Sequence, residues 1–163
     1  MQYTCHYLSP LGQLLLAADD EGLIGIWFEG QKYYAKVVTN DCTEQEIPIL
    51  RDTKRWLDQY FAGQAPTLEI PIHFIGTEFQ KEVWKNLKDI PYGHTTTYKE
   101  IAEMIAKKRG IPRMSAQAVG NAVGRNPIAV LVPCHRVLGS EGQLTGYAGG
   151  IEKKKALLEL EQR

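Results

Sequence analysis

Pro133-Cys134-His135-Arg136-Val137 puts a thiol, an imidazole and a guanidinium on three consecutive residues, at the end of the apolar run that follows Asn126-Pro127. Cysteine attacks as the thiolate, and an ordinary pKa of about 8.5 leaves little of it at neutral pH. A neighbouring imidazole or guanidinium can lower that pKa and turn the thiol into a nucleophile. The same residues also suit an inert, buried small side chain. A third group bears on the choice. If Ile151 to Glu161 is a helix, Leu157, Leu160 and Glu161 share one face, and a carboxylate on an apolar face needs a partner. His135 is the candidate. The three would form a Cys134–His135–Glu161 relay in which Glu161 fixes the imidazole tautomer and His135, directly or through a water, takes the thiol proton. Alternatively Glu161, two residues from the end of the sequence, lies in solvent.

The scaffold that must hold these groups is of ordinary size: 163 residues, 44% hydrophobic and 23% charged, enough for one or two small domains with a core that needs no disulfide or metal. No uncharged apolar run approaches the roughly 20 residues that span a bilayer, which predicts no membrane association. Met1-Gln2-Tyr3-Thr4 lacks a signal-peptide pattern, so a cytoplasmic address is expected. Cys5, Cys42 and Cys134 are odd in number and widely spaced, unlike a disulfide framework.

Period-2 segments at Tyr3 to Leu8, Gln13 to Ala18 and Leu23 to Phe28, separated by turn residues, predict an antiparallel meander. A helix fits Ile49 to Phe61, with Leu50, Trp56, Leu57 and Phe61 on a broad face. Gln64 to Gly76, with two prolines, reads as a linker. Beyond it the pattern turns helical. Thr77 with Gln80 forms a capping box ahead of the stripe Phe79, Val83, Trp84, Leu87, Ile90, and Thr97 with Glu100 repeats the device ahead of a helix from Tyr98 to about Ala106. Lys107-Lys108-Arg109-Gly110 then leads to Ser115, an N-cap for a helix reaching about Gly124. The predicted fold is α+β: an N-terminal antiparallel sheet with a helix (residues 1–75), then a mostly helical helix-turn-helix domain (residues 76–163).

The zero net charge hides an asymmetry: residues 1–75 hold five Lys/Arg and ten Asp/Glu, residues 76–163 fourteen and nine. The basic half suits an anionic partner, although such a surplus is also common on solvated surfaces. Ser115, Ala118 and Ala122 share a helical face, with Gly120 and Gly124 nearby. Such a thin helix either packs tightly on a neighbour or enters the narrow minor groove of DNA, flanked by Lys107, Lys108, Arg109, Arg113 and Arg125.

Beyond the pentapeptide, Phe79 to Trp84, Ile90-Pro91-Tyr92-Gly93, Thr97-Tyr98, Ala118-Val119-Gly120, Asn126-Pro127 and Gly146-Tyr147-Ala148-Gly149-Gly150 follow one another in the order found in the O6-alkylguanine-DNA alkyltransferases. The resemblance covers nearly all of residues 77–161. The first 75 resemble that family only in layout and length. It implies a ribonuclease H-like first lobe, a winged-helix-type second domain, and repair of O6-alkylguanine, with O4-alkylthymine a further substrate, by irreversible transfer of the alkyl group to Cys134. Such a protein acts once and needs no cofactor, because the damaged base is itself the donor.

By the same resemblance His135 and Glu161 are the activating pair, Tyr98 is the phenol that donates toward purine N3, and Asn126 is the hinge behind the acceptor loop. Cys134 and Val137 would offer backbone carbonyls to the guanine amino group, while Tyr147 and Ala148 would line the pocket of a flipped base. Lys99, Ser115, Gln117, Ala118, Arg125 and Ser140 would face double-stranded DNA in its minor groove, the protein acting as a monomer. The sequence departs from the family in two places. Gln117 stands where an arginine commonly fills the gap left by the flipped base, and the connection Ala106 to Met114 is several residues longer than in many relatives and contains Arg109 and Arg113, either of which could contact phosphate instead. Some relatives carry a structural zinc in the first lobe, but Cys5, His6, Cys42 and His73 have no familiar ligand spacing, so no metal is expected. Two rival activities share these residues: a cysteine hydrolase with an oxyanion hole, and a module that binds damaged DNA without repairing it.

Overall fold

The structure is a computed structural model that describes all 163 residues. They form two compact units, one of residues 1–75 with 127–129 and 163, the other of residues 76–126 with 130–162.

In the first unit β1 (Gln2–Ser9), β2 (Gly12–Ala18) and β3 (Leu23–Phe28) make an antiparallel meander, and β4 (Cys42–Glu44) adds a short parallel edge to β1, giving the order β3-β2-β1-β4. The apolar runs Leu14–Ala18 and Leu23–Phe28 are buried throughout, as strands covered on both faces must be. Leu15, Ala17, Ile24 and Trp27 form one core, against Ala35, Val37, Val38 and Ile75. Helix α1 (Pro48–Phe61), opened by proline at its first position, packs on β1 and β2. Its buried positions are Leu50, Thr53, Leu57 and Tyr60. Helical spacing selects Thr53, whose hydroxyl is hidden by donating to the Ile49 carbonyl at 2.8 Å. Trp56 and Phe61, assigned to this face from the sequence, are only half-buried and lie against the Tyr60 ring, centroids 5.6 and 5.3 Å away. The stretch read as a free linker is anchored at its end: Leu23 N–H donates to the Pro71 carbonyl and His73 N–H to the Leu23 carbonyl, each at 2.9 Å. Residues 127–129 lie along Ile26, Ile26 N–H donating to the Pro127 carbonyl and Ala129 N–H to the Ile26 carbonyl.

The second unit opens with α2 (Glu78–Lys88), whose capping box is complete on both sides. After it come β5 (Thr96–Thr97) and α3 (Tyr98–Arg109). Thr97 caps α3 through Glu100 N–H, but the box is half-formed because the Glu100 carboxylate accepts from the Thr96 hydroxyl instead. Helix α3 continues beyond Ala106 to Arg109. Three basic residues in its last turn complement the helix dipole, Lys108 donates to the Asn86 side chain at 3.0 Å, and Arg109 pairs with Glu82. Gly110, at φ +68°, ends the helix in the left-handed conformation. Helix α4 (Ala116–Gly124) is capped by the Ser115 hydroxyl and buries Val119, Ala122 and Val123 against α2 and α3. Trp84 ties α2 to α4, its indole N–H donating to the Ala122 carbonyl at 2.8 Å. A one-turn 3₁₀ helix (Cys134–Arg136), β6 (Val137–Leu138), which pairs in parallel with β5, and α5 (Ile151–Leu160) complete the unit. No helix is long and apolar enough to cross a membrane.

Removing only the indole N–H tests the α2–α4 tie. Trp84→Phe is expected to lower the unfolding free energy by about 1 kcal/mol, seen as a lower urea midpoint at unchanged slope.

Candidate active site

The loop that leads to Cys134 is built under strain. Val130, fully buried and β-branched, sits at φ +68°, where such a residue costs on the order of 1–3 kcal/mol. Two residues on, the Val132 carbonyl is held at 2.8 Å by the buried Asn126 side chain, so Asn126 fixes the path by which the chain enters the Cys134–Arg136 turn.

Successive side chains of a 3₁₀ turn point about 120° apart, so Cys134, His135 and Arg136 diverge. Two of them converge again on Glu161, which caps α5 and is only 5% exposed. His135 Nε2 lies 2.5 Å from Glu161 Oε2. Arg136 donates from Nε to Oε1 at 2.8 Å and from Nη2 to Oε2 at 3.2 Å, while its Nη1 reaches the Ile90 carbonyl at 2.7 Å. Gly93 N–H adds a bond to Oε1 at 3.2 Å, from a turn whose φ of +78° suits glycine. The carboxylate therefore accepts from His135, twice from Arg136, and from Gly93. It also fixes the tautomer: the ring proton sits on Nε2, which makes Nδ1 the basic nitrogen.

Arg136 is committed to Glu161, not to the sulfur, which changes the electrostatics read from the sequence. Cys134 is buried, and burial pushes its thiol pKa up; the Asn126 side chain and the Lys154 ammonium pull the other way without prevailing. His135 is pushed below its usual range, again by burial. Glu161 opposes that shift, while the Arg136 and Lys154 charges add to it. The resting pair is a neutral thiol beside a neutral imidazole.

Lys154 was not legible as a functional residue. It is fully buried on α5, one turn before Leu157 and two before Glu161, and its ammonium donates to the Val137 carbonyl at 2.6 Å and the Thr145 carbonyl at 2.9 Å. The signal was the helix face itself, since the spacing that selects Glu161 also selects Lys154 from Lys153-Lys154-Lys155. Tyr98 heads α3 with its phenol oxygen accepting from the Thr145 hydroxyl at 3.1 Å, and the Lys154 ammonium lies 6.0 Å from its ring centre. Burial raises the Tyr98 pKa, and the Cys134 charge acts in the same direction. Cys134, His135, Glu161, Asn126, Tyr98 and Val137 are thus brought together in one unit. The Val137 carbonyl already accepts from Lys154, and that of Cys134 from Val137 N–H, which leaves each one further lone pair. Tyr147 and Ala148 are half-buried in the segment leading to α5.

On α4 and around it, Lys99, Ser115, Gln117, Arg125 and Ser140 are exposed and Ala118 is half-exposed. Arg109 is spoken for by Glu82 and by the Phe79 ring, 5.7 Å away, whereas Arg113 is exposed. In the first unit no group of three or more His, Cys, Asp or Glu side chains converges as for a metal, and the His73 ring faces Asp19 and Glu21 at 2.6 and 3.0 Å. The residues present do not fit a structural zinc.

A buried thiol with an oriented imidazole, in a unit carrying a thin capped helix after a turn, defines a cysteine nucleophile on a helix-turn-helix scaffold. Residues 78–163 match the DNA-binding domain of the 6-O-methylguanine DNA methyltransferases, and residues 3–74 match their ribonuclease-like domain. The methylated-DNA–protein-cysteine methyltransferase of Methanosarcina acetivorans is 47% identical over 160 residues, 98% of this chain and 97% of the relative. That of Haemophilus influenzae is 37% identical over 98% of this chain and 86% of its own length. The Mycobacterium tuberculosis O6-methylguanine methyltransferase superposes with a TM-score of 0.82 at 41% identity, covering 99% of this chain and 93% of the other. The same mycobacterial protein in complex with DNA gives 0.81. The chain belongs to the methylated-DNA–protein-cysteine methyltransferase family.

The depressed imidazole pKa has a signed consequence for stability. The unfolded chain takes up the His135 proton first, near the ordinary imidazole value of about 6.5, so the contribution of neutral His135 is complete above that pH and is lost as pH falls toward the folded value. His135→Asn is therefore expected to flatten the fall in urea-unfolding free energy between pH 7 and 5 relative to the unsubstituted protein.

Proposed function

We propose that Cys134 is the alkyl acceptor of this chain, and the observation that carries the reading is the buried His135–Glu161 pair, its carboxylate held by Arg136 and Gly93, on the residue that follows the buried Cys134. The protein binds DNA and repairs it by moving an alkyl group from the damaged base to its own cysteine. The thiol proton passes to His135 Nδ1, directly or through a water, and the imidazolium so formed is stabilised by Glu161. The sulfur attacks the alkyl carbon on guanine O6. The carbon–oxygen bond breaks, its electron pair passes onto the purine, and Tyr98 supplies the proton that N3 takes up. Lys154 lies close enough to favour the thiolate as it forms. The product is a thioether, which has no usable leaving group toward water. The protein is consumed stoichiometrically and needs no methyl-donor cofactor.

To reach Cys134 the base must leave the helix, and α4 is the element that fits a minor groove: Ser115, Ala118, Gly120 and Gly124 keep it thin. Arg113 and Arg125 supply phosphate attraction, while Arg109 is withheld by Glu82. Gln117, exposed on the first turn of α4, inserts into the gap as a neutral wedge. Residues 76–163 form the DNA-binding and acceptor domain. One copy suffices, so the protein works as a monomer, and three free cysteines suit a reducing, cytoplasmic setting.

Intact mass after incubation with O6-methylguanine DNA tests the acceptor: one methylene's mass is gained once per chain and maps to Cys134. Cys134→Ser gains none while retaining DNA binding; methylation of Cys5 or Cys42 in that variant overturns the assignment. For Gln117, unstacking a base costs a few kcal/mol unless the gap is filled. Gln117→Ala is expected to slow repair of duplex DNA several-fold and leave reaction with free O6-benzylguanine unchanged, whereas equal slowing of both places the residue in the pocket or the fold.

A further inference from the structure

Thr145 lies between β6 and α5, 47 residues from Tyr98 in sequence, and touches two groups of the site at once. Its hydroxyl donates to the Tyr98 phenol oxygen at 3.1 Å, and its carbonyl accepts from the buried Lys154 ammonium at 2.9 Å. The ammonium pins the backbone from which the hydroxyl is presented. The Tyr98 ring is confined from another side by α4, where a methyl group on Gly120 would stand 3.6 Å from it. Ring and oxygen are therefore both placed.

We propose that Thr145 is a positioning residue for proton transfer, holding the Tyr98 phenol so that its proton faces the leaving guanine and its oxygen has a donor as that proton departs. The inference rests on the reading of Tyr98 as the proton donor to N3 and extends it to a residue that acts through Tyr98. A phenol has one proton. While Thr145 donates to the oxygen, that proton points elsewhere, and when it moves to N3 the negative charge left on oxygen already has an O–H bond aimed at it. The need is real in this setting, because burial disfavours the phenolate and the Thr145 hydroxyl is the contact that opposes burial. No covalent bond to Thr145 forms or breaks.

Single-turnover transfer from O6-benzylguanine, with Thr145→Val, Thr145→Ser, Tyr98→Phe and Thr145→Val with Tyr98→Phe, tests this. A lost hydrogen bond of ordinary strength predicts that Thr145→Val slows transfer about tenfold at unchanged unfolding midpoint, and that Thr145→Ser recovers most of the rate. In the Tyr98→Phe background Thr145→Val should add no further loss. An equal loss in both backgrounds, or failure of Thr145→Ser to recover the rate, means Thr145 shapes the pocket and overturns the proposal. A slow Tyr98→Phe beside a Thr145→Val at full rate overturns the proposal alone. A Tyr98→Phe at full rate overturns the proton-donor reading and the proposal with it.

Discussion

The site hangs on one buried carboxylate. Glu161 is nearly inaccessible to water, and a charge so placed is tolerated only if donors replace the solvent. Those donors come from two stretches of chain, His135 and Arg136 from the Cys134–Arg136 turn and Gly93 from the turn after α2, and they meet Glu161 at the end of a third, the last helix. Arg136 also reaches the Ile90 carbonyl, so the guanidinium and the carboxylate together clamp the α2 exit, the acceptor turn and α5. Removing either partner would strand a buried charge, which is far costlier than losing a surface pair. The imidazole is oriented as a by-product of that clamp. Its tautomer follows from where Glu161 must be.

This arrangement gives a nucleophile that is quiet at rest. Burial raises the thiol and lowers the imidazole, and each shift works against a standing thiolate–imidazolium pair. For a catalyst that turns over many times, such restraint would be a handicap. For a protein that can react only once, an exposed thiolate would be lost to any passing electrophile or oxidant. On this reading, ionisation waits for the base to enter the pocket, where the alkyl carbon and the Tyr98 proton complete the charge balance. The Lys154 charge lowers the thiol pKa without overcoming burial, its ammonium being held by the Val137 and Thr145 carbonyls.

Much of the fold was legible because its signals are local. The turns that bound β2 and β3, the Thr77 and Ser115 caps and the stripe of α2 each follow from a few adjacent residues, although β2 and β3, read as period-2 strands, are buried at successive positions on both faces. What escaped depends on groups far apart in sequence. Arg136 read as a neighbour of the sulfur because sequence adjacency says nothing about direction, and a 3₁₀ turn sends adjacent side chains apart. Lys154 went unassigned, since the carbonyls of Val137 and Thr145 that receive it lie 17 and 9 residues away in sequence. Helix α3 overran its expected end because Glu82 and Asn86 on α2 hold its last basic turn. The linker read as free because a proline-rich stretch gives no sign that Pro71 and His73 will bond Leu23.

The same accounting bears on the long α3–α4 connection. A run such as Lys107-Lys108-Arg109 looks like a cluster of phosphate ligands, yet Lys108 and Arg109 are turned inward along α2 by Asn86 and Glu82. Their work is structural: they extend α3 by most of a turn and so set where the connection starts. It then needs only Gly110 to Ser115 to reach α4, with Gly110 reversing the chain and Ser115 capping the next helix. Arg109 and Arg113 are both exposed, but Arg109 is paired with Glu82, whereas Arg113 lies three residues before the start of α4. The last turn of α3 thus keeps three basic residues, and the loop beyond it adds the exposed Arg113 ahead of a helix whose first turn carries the uncharged, exposed Gln117.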